Sequence, residues 1–153
     1  MYYAVVGLLM FALPLLSVLL EPAFSSSPSV IALIGKWYVF WAVGARLQLA
    51  GMRQVVQPRY TARVILGLKS DESLFVIREL GFANLAFGLC GLLSMVLPTW
   101  RVPVALAGGV FYGLAGGNHL LQPHRNRPEN VAMVSDIFAS LILLIFCANA
   151  LSS

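Results

Sequence analysis

Long apolar stretches alternate with short polar breaks along this chain. Residues 2–20 read YYAVVGLLMFALPLLSVLL, with no charge in the run. Comparable stretches lie over 30–56, 74–97, 102–122 and 131–151. A bilayer core of about 30 Å takes roughly 20 apolar residues in a helix, so each stretch predicts one transmembrane span. The predicted fold class is all-α, a polytopic membrane helix bundle with five transmembrane helices in a single domain over 1–153. Pro14 predicts a mild kink in the first span, with neighbouring helices satisfying the backbone group it frees.

The breaks carry their own signals. EPAFSSSPS, residues 21–29, is a Pro/Ser-rich loop. PRYTARVILGLK opens on Pro58 and mixes arginine with Val, Ile and Leu, which predicts an amphipathic helix over 58–68 lying on the membrane surface. SDES, 70–73, places acids at the start of the third span, where the positive helix end favours them. Asn126 and Glu129 stand three apart ahead of the fifth span, the spacing of a capping box.

Composition supports a lipid solvent. Hydrophobic residues make up 59% of the chain and charged ones 10%, against about 25% charged in soluble domains. Cys90 and Cys147 both fall in apolar runs and read as buried thiols. The first stretch has no basic residue ahead of it and no small-x-small cleavage site behind it, so it reads as a retained helix.

Charge sets the expected orientation. With five spans, Arg53, Arg59, Arg63, Lys69, Arg125 and Arg127 share one side, and Lys36 and Arg101 the other. Six against two predicts that the N-terminus is cytoplasmic and the C-terminus outside, N-in/C-out. Trp37, Tyr38, Trp41 and Trp100 then form an aromatic belt at the outer boundary. The net charge of +4 is a topology signal. The basic residues are dispersed over loops without aromatic interleaving, so no nucleic acid partner is expected.

Several polar residues interrupt the apolar runs. Arg78 and Glu79 sit in SLFVIRELGFANL, Arg46 and Gln48 in VGARLQLAG, Asn118 and His119 in AGGNHLL, and Asp136 in AMVSDIF. Glu79 lies roughly 9 Å along its helix from Ser73 at 1.5 Å per residue, and the others come to a similar layer in the cytoplasmic half. Charges in hydrocarbon cost about 2.5–3.5 kcal/mol each on insertion scales, so they pair or face a wet cavity. Arg46 and Arg78 balance Glu79 and Asp136. Two ion pairs are expected, with Arg78 and Glu79 reaching different helices because neighbours on a helix point about 100° apart.

Two readings follow. One is a polar lock that fixes helix register. The other is a pocket bounded by Arg46, Arg78, Glu79, Asn118, His119 and Asp136, with an apolar wall from Phe82, Phe111 and Tyr112. His119 favours the pocket, since charge balance does not require it and histidine is the side-chain type suited to proton exchange near neutral pH. His119, Glu79 and Asp136 are the candidates for acid–base catalysis. Their spacing matches no metal-binding motif, so no metal is expected, and no cofactor is indicated.

Ala105, Gly109, Gly113 and Gly117 recur every four residues in the fourth span. Such a stripe permits close helix packing, inside the bundle or against a second copy or partner membrane protein. Asn84, near mid-span, is expected to bond across helices. GLLMFALP at 7–14 and GLLSMVLP at 91–98 form a weak internal repeat.

KWYVFWAVGARLQLAGMRQ, RELGFANLAFGLCGLLS, GGVFYGLAGGNHL and AMVSDIF together resemble a family of small bacterial integral membrane proteins, a domain of unknown function, over about residues 36–140. More loosely, the chain is similar to DoxX-type four-helix membrane proteins, from which a fifth span and the lack of their cysteine chemistry depart. The resemblance implies the inner (cytoplasmic) membrane of a bacterium and gives weight to Arg46, Arg78, Glu79, His119 and Asp136. It implies no reaction. The functional expectations, in order, are a module in the lipid bilayer that binds a lipid-like or other amphipathic ligand or supports a partner complex, a membrane enzyme using His119 and a carboxylate on a hydrophobic substrate, and a small oligomeric transporter.

Overall fold

The computed structural model describes residues 2–21 and 29–152. Five helices are long and apolar enough to cross a membrane: Tyr2–Leu20, Val30–Val56, Ser73–Leu93, Pro98–Leu121 and Arg127–Ser152. There is no strand among the described residues. These are the five expected spans, numbered first to fifth below. Of the loop expected at 21–29, only Glu21 and Ser29 lie within the described residues. Ser29 caps the second span, its Oγ accepting from Ala32 N at 3.2 Å.

Local chemistry adjusts the boundaries. The third span stops at Leu93, short of the expected 97. Ser94 Oγ there donates to Gly91 O at 2.7 Å, and a turn leads into Pro98. The fifth span begins at Arg127, earlier than its apolar run, because the capping box forms. Asn126 N donates to Glu129 Oε2 at 2.8 Å, and Glu129 N donates to Asn126 Oδ1 at 2.9 Å. Glu129 is thus a buried structural acid.

The surface helix covers 58–65, and its second half, Thr61–Ile65, is wound as a π-helix. Gly67 ends it with φ +64°, a conformation glycine adopts without steric cost. Leu68 N then reaches back to Ala62 O at 2.8 Å, closing the helix end as such caps do. Asn126 Nδ2 donates to Ile65 O at 2.9 Å and ties this helix to the fifth span.

The second span is the centre of the bundle. Trp41 Nε1 donates to Ser17 Oγ of the first span at 3.0 Å. Against the third span the contact is backbone to backbone. A Cβ at Gly88 would stand 2.5 Å from Gln48 N, and one at Gly51 would stand 2.7 Å from Gly81 O. Lipid tails are as apolar as the side chains, so close packing of this kind is what holds spans together. The coil of the second span widens to a π-helix over Val39–Ala45, and the Tyr112 hydroxyl of the fourth span donates to Ala42 O within that stretch. A third π-helical stretch, Leu8–Ala12, lies just ahead of Pro14.

The glycine stripe of the fourth span is occupied within the chain. Gly109 and Gly113 face Leu143, Leu144 and Ser140 of the fifth span, and Ser140 Oγ donates to Gly109 O at 2.8 Å. Ala105 is fully buried in the same core, while Gly117 has open space around it. Tyr38 departs from the expected aromatic belt: it lies in the core at 1% exposure, stacked edge-on to Phe138.

Candidate ligand cavity

The neighbouring spans run antiparallel, so Tyr2, Val56, Ser73, Leu121 and Arg127 gather at one end of the bundle. Near that end lies a cavity of about 580 Å³, lined by residues of all five spans and the surface helix. The second span contributes most. Arg46, Ala50 and Arg53 follow one another at helical spacing and share a face, and Gln57 just past the helix end also lines the cavity. The fourth span adds Phe111, Tyr112, Ala115 and His119, the fifth Ala132 and Asp136, the third Leu80 and Asn84.

The cavity floor is an ion pair. Arg46 Nη2 stands 2.8 Å from Asp136 Oδ1, with side chains 13% and 8% exposed. The guanidinium also lies over the Tyr112 ring, 5.0 Å from its centroid. The charges attract, but Asp136 Oδ1 makes no bond of hydrogen-bonding geometry. Closer to the membrane boundary, Arg53 packs on the Tyr60 ring with Cζ 3.7 Å from the centroid. Asn84 Nδ2 donates to Gln54 Oε1 at 2.7 Å, the cross-helix bond expected of a mid-span asparagine.

Unsatisfied polar atoms converge here. Arg53 Nε, Asn84 Oδ1 and His119 Nδ1 are all buried without a hydrogen-bond partner, and all three residues line the cavity. Buried polar groups are ordinarily paired, so three around one space mark a polar subsite in an otherwise apolar wall. The rim carries Leu49, Met52 and Val56, which are 50%, 52% and 75% exposed. The cavity therefore reaches the lipid-facing surface of the bundle on this side.

Of the residues expected at the pocket, Arg46, His119 and Asp136 come together, with Phe111 and Tyr112 as the wall. Arg78, Glu79 and Asn118 do not: all three are exposed and none lines this cavity. Arg78 and Glu79 form no ion pair among the described residues, so the expected second pair is replaced by the single pair Arg46–Asp136. Arg78 borders a shallow groove beside Arg59 and Leu74, and Phe82 is 56% exposed on the outside of the bundle. The reason is register. Ile77, Gly81, Asn84 and Gly88 form the buried face of the third span, which turns Arg78, Glu79 and Phe82 outward.

Arg53, Gln54 and Tyr60 belong to the site and were not foreseen. Arg53 reads from sequence as a topology charge, although its spacing of seven from Arg46 already puts it on the same helix face. Among the described residues, no group of three His, Cys, Asp or Glu is disposed to hold a metal ion.

Fold and site together define a small polytopic membrane protein, a five-span helical bundle with an amphipathic cavity near one end. The chain belongs to a family of unknown function, DUF6790, whose model matches residues 2–152. No curated protein and no solved structure matches it.

Proposed function

We propose that this protein is a membrane module that binds an amphipathic, lipid-like molecule in the cavity between Arg46, Arg53, His119 and Asp136. One observation carries the reading: Arg53, Asn84 and His119, each with a buried polar atom that has no hydrogen-bond partner, line a cavity with apolar walls that is open to the lipid side. A volume of about 580 Å³ falls within the usual range for small-molecule sites, roughly 300–1,000 Å³. A polar head suits Arg53, Asn84 and His119, and an apolar body suits Leu49, Leu80, Phe111 and the rim.

The setting we infer is the inner membrane of a bacterium, with the N-terminus and the cavity on the cytoplasmic side. The six-to-two distribution of basic residues supports it. An alkaline phosphatase fusion at the C-terminus is then active and a green fluorescent protein fusion dark; the reverse result refutes the orientation.

Native mass spectrometry after mild extraction tests the binding. The expected result is a retained amphiphile on the wild-type chain. It is lost in Ala115→Phe, which fills the cavity while keeping the helical circular dichroism. A wild-type chain that retains nothing, and binds no added lipid saturably, overturns the reading.

Acid–base chemistry by His119 with Asp136 is the second reading. It is favoured by their common place on the cavity wall and opposed by the commitment of Asp136 to Arg46. A ligand recovered chemically unchanged after incubation supports binding over turnover.

A further inference from the structure

We infer that the cavity selects amphiphiles with an anionic head, a phosphate or carboxylate, and that Arg53 is the residue that holds it. This rests on the amphiphile-binding reading above and names the head it takes. The charges lining the cavity do not cancel. Arg46 and Arg53 are both on its wall, and Asp136 is the one carboxylate among the described lining residues. Asp136 is engaged by Arg46 at 2.8 Å, which leaves the guanidinium of Arg53 without a counter-charge. No ion pair reaches it among the described residues, and its Nε is buried with no hydrogen-bond partner.

The Tyr60 ring under Arg53 holds the guanidinium in place. A ring face attracts a cation but brings no negative charge. It lies against the guanidinium without using its in-plane N–H donors, which form no hydrogen bond among the described residues. Those donors form the fork that takes phosphate or carboxylate oxygens in pairs. Depth agrees with this assignment. Arg53 is three residues from the end of the second span at Val56, roughly 5 Å inside it, which is where the head of a bilayer lipid stands. Leu49, Met52 and Val56 surround Arg53 on the same two turns and open to lipid, so a tail leaves the site sideways into the bilayer. A cationic head is disfavoured by the same excess charge.

The test uses the full chain in detergent, with native mass spectrometry and thermal stability read against added phosphatidylglycerol, phosphatidylcholine, diacylglycerol and inorganic phosphate. Phosphatidylglycerol is expected to bind roughly tenfold more tightly than phosphatidylcholine or diacylglycerol, the scale of one charge-assisted bond. Arg53→Gln removes that preference and Arg53→Lys retains part of it. Arg59→Gln, on an exposed arginine of the same end paired to Asp71, leaves it unchanged. Stabilisation by millimolar inorganic phosphate alone, lost in Arg53→Gln, also supports the anion subsite and assigns it to a free anion. Equal binding of the three lipids to the wild-type chain, or a preference that survives Arg53→Gln, overturns the inference while the amphiphile reading stands. No saturable binding of any amphiphile removes both. Circular dichroism and the Arg53→Lys chain show whether a loss in Arg53→Gln is a loss of fold.

Discussion

Arg46 of the second span and Asp136 of the fifth face each other at 2.8 Å, both nearly shielded, with Tyr112 of the fourth span against the guanidinium. Three helices meet at this one pair. Removing one partner leaves a charge buried alone, which typically costs about 3–5 kcal/mol. Asp136→Asn and Arg46→Gln are each expected to lower stability by that order in a detergent denaturation series. The double replacement Arg46→Met with Asp136→Leu recovers most of the loss, because no unpaired charge remains. Equal damage from the single and double variants refutes the pairing as the source of stability.

Glu79 offers the contrast. It is exposed and forms no ion pair among the described residues. Glu79→Gln is expected to change stability by no more than about 0.5 kcal/mol, as surface substitutions do. Sequence alone suggested the opposite. A loss comparable to that of Asp136→Asn in the same assay contradicts the outward placement of Glu79.

Glycines separate by what surrounds them. Gly88 faces the backbone of the second span, where a Cβ would stand 2.5 Å from Gln48 N. Gly88→Ala has to push two helices apart and is expected to cost about 1–3 kcal/mol, the usual penalty of overpacking. Gly117 has nothing within 4 Å of such a Cβ, and Gly117→Ala is expected to stabilise the fourth span by roughly 0.5–1 kcal/mol through helix propensity. Melting temperatures of the two variants moving in the same direction count against the described helix crossing.

At the opposite end, Glu21 bonds Lys36 Nζ and Trp37 Nε1, each at 2.6 Å. The bond from Lys36, with that from Trp37 and the charge of Lys36, outweighs desolvation and holds the Glu21 carboxyl below its usual value. A group with a depressed folded-state pKa stabilises the fold above its unfolded pKa, and the contribution fades as pH falls through the folded value. Stability is therefore expected to drop below about pH 4.5 by part of the roughly 0.2–1 kcal/mol typical of such surface pairs. The Glu21→Gln chain shows a correspondingly flatter acid limb. An unchanged acid limb in that variant assigns the drop to other carboxylates.

Apolar run lengths, with proline, serine and charge between them, were enough to place five spans, a short helix opening at Pro58 and the Asn126–Glu129 cap. Those features depend on local chemistry: how many apolar residues cross a bilayer, and which side chains satisfy a helix start. The helix faces were not legible. In lipid the outward and inward surfaces of a span are both apolar, so periodicity does not tell Phe82, which faces out, from Phe111, which lines the cavity. For the third span the decisive residues were its smallest. Gly81 and Gly88 fit against the backbone of the second span, and that contact carried Arg78 and Glu79 away from the centre. The same packing left Arg46 to Asp136 and brought Arg53 beside Tyr60. Which polar residues sit at one depth can be counted along the chain. Which of them meet is decided by where two backbones can approach, and that is a property of the assembled bundle.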